Sequence, residues 1–167
     1  MKPQRLLPLV SILLCAACFD GGEGDYFVEA TIDGEAYEGN VGGAHLFQAE
    51  PSWMLFFPSD LLQIGVYGWA GGETGSWDLV FEEGCEEGCS WALYQLGTAT
   101  YVSDSGTLTI DEWEDHEPDN AADTRIGYAG GTFDSTLSCW MGCEGAAETV
   151  EITDGAFYVQ VAASDAE

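Results

Sequence analysis

The chain has 167 residues, with 30 Asp and Glu against 3 Lys and Arg, and a formal net charge of −27 at pH 7. Binding to nucleic acid, or directly to an anionic membrane surface, needs basic side chains against phosphate, so this balance argues against both. Disorder is disfavoured as well, because 46% of the residues are hydrophobic, including 6 Trp, 7 Tyr and 8 Phe, which is enough to build a core. The same charge favours solubility, self-repulsion at low salt, a monomer, and attraction for cations or a basic partner. A solvated acidic surface suited to salty surroundings is the plainer reading.

Taken from the first residue, residues 1–17 read as a signal peptide. Lys2 and Arg5 form a basic start, Leu6, Leu7, Leu9, Val10, Ile12, Leu13 and Leu14 form an apolar core, and Ala16-Ala17 supply small residues for cleavage. The apolar run is shorter than the roughly 18 residues a membrane-spanning helix needs. After it, Cys18 through Gly24 (Cys-Phe-Asp-Gly-Gly-Glu-Gly) reads as a flexible acidic tether, residues 18–24. Every acidic residue lies beyond Cys18, where Arg125 is the sole Lys or Arg.

Residues 25–163 read as one β domain. Tyr26, Val28, Ala30 and Ile32 alternate with Phe27, Glu29 and Thr31, and Asp33-Gly34 then accepts the positive φ angles of a two-residue turn into Ala36-Tyr37-Glu38. Apolar runs follow at 53–57 and 61–69, separated by Pro58-Ser59-Asp60. Trp77, Leu79 and Phe81 share a strand face, as do Trp91 and Leu93, and Leu108 and Ile110. Residues 126–134 are rich in Gly and Ala, with Ile126, Tyr128 and Phe133 as the larger groups. Val150 and Ile152 alternate with Glu151 and Thr153; Phe157, Val159 and Val161 alternate with Tyr158 and Gln160. Asp154-Gly155 between them fits a hairpin turn or a bulge. About nine short strands, with no helical stripe after the signal, predict an all-β fold: a single antiparallel β-barrel or β-sandwich.

Two resemblances add to this. Leu13-Leu14-Cys15-Ala16-Ala17-Cys18 resembles the lipobox of bacterial lipoproteins, with Cys15 where that family prefers Leu. The resemblance implies that Cys18 becomes the first mature residue and carries lipid, which makes the membrane a partner through the anchor. Further on, four segments in order are similar to a family of short, uncharacterised bacterial lipoproteins with a lipocalin-like β domain. They are Phe27-Val28-Glu29-Ala30-Thr31-Ile32-Asp33-Gly34-Glu35-Ala36-Tyr37, Ser105-Gly106-Thr107-Leu108-Thr109-Ile110, Gly130-Gly131-Thr132-Phe133, and Val150-Glu151-Ile152-Thr153-Asp154-Gly155-Ala156-Phe157. That family implies a β barrel or sandwich on a lipid anchor and no catalytic residues. The chain departs from its pattern in two cysteine-bearing loops and in the acidic segment 111–123.

Cys85, Cys89, Cys139 and Cys143 form two Cys-x3-Cys pairs in Gly-rich segments. In an oxidising exported compartment these read as two disulfides. Local closure, Cys85–Cys89 and Cys139–Cys143, is preferred because each pair brackets a loop tip; a crosslink between the loops stays open. A four-thiolate zinc site is disfavoured by the spacing and by Glu86-Glu87, which oppose thiolate formation. The run from Asp111 to Asp123 offers carboxylates to calcium, but it has no EF-hand glycine or terminal glutamate and reads as a solvated hairpin loop. His45 and His116 sit in no recognisable metal or nucleophile arrangement. Trp53, Trp77 and Trp91 read as core; Trp69, Trp113 and Trp140, near turns or on polar faces, are candidates for an exposed contact.

These features predict a non-enzymatic exported lipoprotein with no cofactor, no resident metal and no catalytic residue. Its site residues are Cys18 for lipid and the four cysteines for disulfides. An outer-membrane or cell-surface location is expected, with a periplasmic or secreted form as the alternative, and a structural or interaction role in the cell envelope. Two further readings remain: a binder of a small apolar ligand inside the barrel, favoured by an apolar interior cavity, and a calcium-responsive adhesive module.

Overall fold

A computed structural model of the chain describes residues 26–165, apart from 42, 50, 51, 84–87, 118 and 122. The expected signal peptide, Cys18, the tether and Cys85 lie outside the described residues. The strands are β1 Phe27–Ile32, β2 Glu35–Asn40, β3 Ala44–Ala49, β4 Ser52–Pro58, β5 Leu62–Tyr67, β6 Gly75–Asp78, β7 Ser90–Leu96, β8 Ala99–Asp115, β9 Arg125–Met141 and β10 Thr149–Asp165. No helix occurs among the described residues. The fold is all-β, as period-two alternation predicts.

Length decides the architecture. The strands β8, β9 and β10 each run 17 residues and form an antiparallel spine with β9 in the middle. Because they are so long, the outer two carry different neighbours along one edge. On β10, residues 152–158 pair with β1 and residues 161–165 pair with β3. On β8, residues 99–102 pair with β7 and residues 107–110 pair with β6. The pairings β10–β3–β4–β5–β7–β8–β9–β10 therefore close a circuit, with β1–β2 attached to β10 and β6 attached to β8. All pairs are antiparallel except β3 with β10.

Local chemistry accounts for the joints. Asp33 and Gly34 take φ values of 49° and 82°, the left-handed pair a tight hairpin requires. Asp154 (φ 53°) does not turn the chain; β10 continues through it as a bulge, and its register shifts between Ile152 and Gly155. At the β4–β5 tip, Ser59 Oγ donates to Leu62 O at 2.6 Å and accepts from Leu62 N at 2.9 Å, while Tyr37 OH lies 2.5 Å from Ser59 Oγ. Those bonds fasten the hairpin to β2. Asp60 Oδ1 lies 2.9 Å from the same Tyr37 hydroxyl, whose single proton has Ser59 Oγ and this carboxylate as alternative acceptors. Burial first, offset in part by the Ser59 bond, raises the pKa of Tyr37.

The interior is occupied by one apolar cluster in which Leu46, Leu55, Leu62, Ile64, Leu108, Leu137, Val159 and Val161 are at most 1% exposed. Each such side chain contributes about 1.5–3 kcal/mol relative to exposure. The tryptophans redistribute from the expectation. Trp69, expected near the surface, is 1% exposed; it meets Trp113 at 5.3 Å and Trp77 at 6.5 Å edge-on and donates to Glu73 O. Trp113 is half-buried against the core rather than on a polar face. Trp91 is half-buried on the outside: the inward residues of β7 are Ser90, Ala92 and Tyr94, and the indole covers Gly65 on β5. Trp77 packs against the core and Trp140 is exposed, both as expected. Trp53 lies in β4, with its side chain outside the described set.

Candidate functional site

A groove of about 630 Å³ crosses the outer face of β8, β9, β10 and β1. Its floor is the side-chain-free pair Gly130-Gly131 of β9, and its walls come from the neighbouring strands in register. Glu112 on β8 stands opposite Gly130, Gly130 opposite Tyr158 on β10, and Tyr158 opposite Phe27 on β1. The next outward row brings Ala156 beside Glu29. A methyl group placed on Gly130 would lie 3.2 Å from Glu112 Oε2 and 3.2 Å from Tyr158 Cδ2. A carboxylate and an aromatic ring thus flank the floor from opposite sides.

Bulges frame this groove. Between Ile110 and Glu112 the β8–β9 register shifts by one residue, which inserts Asp111 and brings a second carboxylate to the rim. The bulge in β10 at Thr153 and Asp154 sets Asp154 at the opposite end, near Asp134. Bulges re-aim side chains in this way at functional edges of sheets.

A row of rings continues from one wall. Tyr158 stacks on Tyr128 with centroids 6.1 Å apart and planes 2° apart, and Tyr128 stacks on Tyr26 at 6.2 Å. His116 meets Tyr128 edge-on at 6.0 Å. Burial, then the charges of Glu114 and Glu112, raise the pKa of Tyr158. Tyr158 therefore stands partly buried beside two carboxylates.

The acidic run, expected to be a solvated hairpin loop, divides: residues up to Asp115 finish β8, and the described residues from His116 to Thr124 connect it to β9. The loop is organised by Arg125. Its Nε donates to Asp123 Oδ1 at 2.8 Å, and its Nη2 donates to Asp123 Oδ2 at 2.7 Å and Asp119 Oδ2 at 3.0 Å. Asp123 also receives the His116 ring at 2.9 Å and the Asp119 backbone N–H at 3.2 Å. The Arg125 bonds, then the His116 bond, hold the Asp123 carboxyl far below the ordinary range, and Asp123 raises Arg125 in turn. His116, Asp119 and Asp123 have ligand atoms within 4.8 Å of one another, but a cation there would compete with a guanidinium already seated on two of the three.

Cys139 and Cys143 are bonded to each other, with Cα atoms 5.8 Å apart, so the pair closes locally. Cys139 lies inside β9, not in a loop, and the bridge ties that strand's end to the turn before β10. Cys89 is also disulfide-bonded and 8% exposed. His45 is exposed on β3, 5.6 Å from Phe47, and shares no cluster with His116. The groove itself escaped the sequence reading, although its floor was visible as the Gly-Ala-rich stretch and its rim as the acidic run. No family model, curated protein or solved structure matches the chain.

Proposed function

We propose that the chain is an exported, lipid-anchored, non-enzymatic domain whose role is binding, with the outer groove over Gly130-Gly131 as its contact face. One observation carries this reading. Aromatic rings and carboxylates from four strands converge on a glycine floor outside the ring, while the inside is filled by side chains such as Leu55, Ile64, Tyr101 and Leu137, all fully buried. A small apolar ligand inside the barrel would need the volume those side chains occupy. A calcium-dependent module built on the acidic run would need carboxylates that Arg125 already engages.

The resemblance to lipocalin-like lipoproteins agrees with this reading: Cys18 holds the domain at an envelope membrane, and residues 18–24 let it stand clear of the surface. Two buried acyl chains make such anchoring stable. Intact-mass analysis of protein purified from native membranes tests the proposal. The expected product starts at Cys18, carries acyl mass, and under native ionisation retains a small molecule that the Gly130→Leu variant loses. A mature chain starting elsewhere without fatty acid overturns the anchoring, and retention unchanged by Gly130→Leu overturns the groove.

A further inference from the structure

We infer that the groove binds an organic cation, a small molecule bearing an alkylammonium group, seated over Tyr158 between Glu112 and Glu29. This rests on the groove being the contact face and adds the chemical class of its occupant. Three independent features select that class. The first is size: about 630 Å³ falls within the range of small-molecule sites, roughly 300–1,000 Å³. The second is the wall chemistry. Phe27 and Tyr158 present aromatic rings, whose faces attract cations and favour alkylated ammonium groups. The third is charge: Glu29, Asp111, Glu112, Asp134 and Asp154 border the groove and, among the described residues, no basic side chain does, so an anion finds no counter-charge there and a neutral ligand leaves carboxylates facing apolar surface.

The register explains why this is a built arrangement rather than a consequence of an acidic composition. Glu112, Gly130, Tyr158 and Phe27 are successive partners across four strands, and the 3.2 Å distances from the Cβ position of Gly130 to both Glu112 Oε2 and Tyr158 Cδ2 show carboxylate and ring closing over the same glycine from either side. Tyr128 backs the Tyr158 ring in parallel, which fixes its orientation before any ligand arrives. Preorganised rings lose little entropy on binding.

Calorimetric titration of the purified full chain with choline, and with its uncharged isostere 3,3-dimethylbutan-1-ol, tests the inference. Choline is expected to bind about fivefold or more tightly than the isostere and to shift the ring resonances of Tyr158 and Phe27. Tyr158→Leu and Glu112→Gln should each weaken choline by a similar factor, Tyr158→Phe should retain it, and Glu151→Gln, which removes one charge elsewhere on β10, should leave it unchanged. Equal binding of choline and isostere, both lost in Tyr158→Leu, overturns the cation while leaving the groove intact. Equal weakening by Glu112→Gln and Glu151→Gln overturns it as bulk charge attraction. Binding of neither compound, or binding indifferent to Tyr158→Leu, removes the cation and the groove together.

Discussion

Arg125 grips Asp123 with two bonds, Nε to Oδ1 at 2.8 Å and Nη2 to Oδ2 at 2.7 Å. This fork–fork geometry is the strong form of a carboxylate contact, and the Asp123 side chain is 6% exposed. The loop so fixed presents His116 to Tyr128, and Tyr128 stacks on Tyr158 at the groove wall. Loop and groove are thus linked through rings.

Acid should loosen this clamp late. Arg125, then His116, depress the folded pKa of Asp123, so its contribution is complete above the unfolded aspartate value of about 3.9 and is lost progressively as pH falls toward the depressed value. Melting curves of the native chain and Asp123→Asn should show an advantage for the native chain that is undiminished down to about pH 4 and shrinks below it. A difference that stays constant down to the most acidic buffers would refute the clamp.

Calcium should do little in this loop. Arg125 Nη2 already lies within 3.0 Å of both Asp119 and Asp123, so the local charge is offset without an ion. Calcium chloride is expected to raise Tm no further than sodium chloride of equal ionic strength. A larger rise for calcium, abolished in Asp119→Asn, is the opposing result.

Neighbouring glycines should respond differently to the same change. In Gly131→Ala the new carbon would lie 1.9 Å from the Thr109 carbonyl oxygen, a backbone atom with no freedom to move aside; a loss of about 3 kcal/mol or more follows. In Gly130→Ala the nearest atoms are 3.2 Å away and belong to side chains, and the loss should be below about 1 kcal/mol. Urea unfolding of the two variants gives the comparison directly, and equal losses would contradict the groove geometry.

Replacing Cys139 and Cys143 by serine should cost about 2 kcal/mol, because the bridge spans a sequence separation of only 4 and short loops release little chain entropy. The fold should survive. Urea midpoints of native and double-serine protein measure the cost, and a failure to fold would mean that the bridge does more than close its own turn.

The sequence made the strands legible wherever one face is buried and the other wet. Val150–Ile152 and Phe157–Val161 alternate cleanly, and the structure puts their apolar members inward. Parity failed at β7, where Trp91 outweighs Ala92 in hydrophobicity yet faces out, because Gly65 on the adjacent strand gives the indole a seat there. The strand Ala44–Ala49 was missed because Leu46 and Phe47 are adjacent and break the alternation. The local turn at Asp33-Gly34 was readable, as was local closure at Cys139–Cys143. The groove was not: it exists only once Glu112, Gly130, Tyr158 and Phe27, far apart in the chain, become partners. The Arg125 clamp, by contrast, joins residues two and six positions apart and was legible in the sequence, because Arg125 is the sole Lys or Arg beyond Cys18 and stands next to an acidic run.

The last strand, β10, bonds to β1, β3 and β9. The β1–β2 hairpin therefore has its seat in the sheet only through residues 152–158, while β3, already joined through β4 to β5, gains its second neighbour only from residues 161–165. Completion of the ring waits on that strand, and its long-range pairings make it slow. Removal of β10 is therefore equivalent to removing the keystone of the molecule.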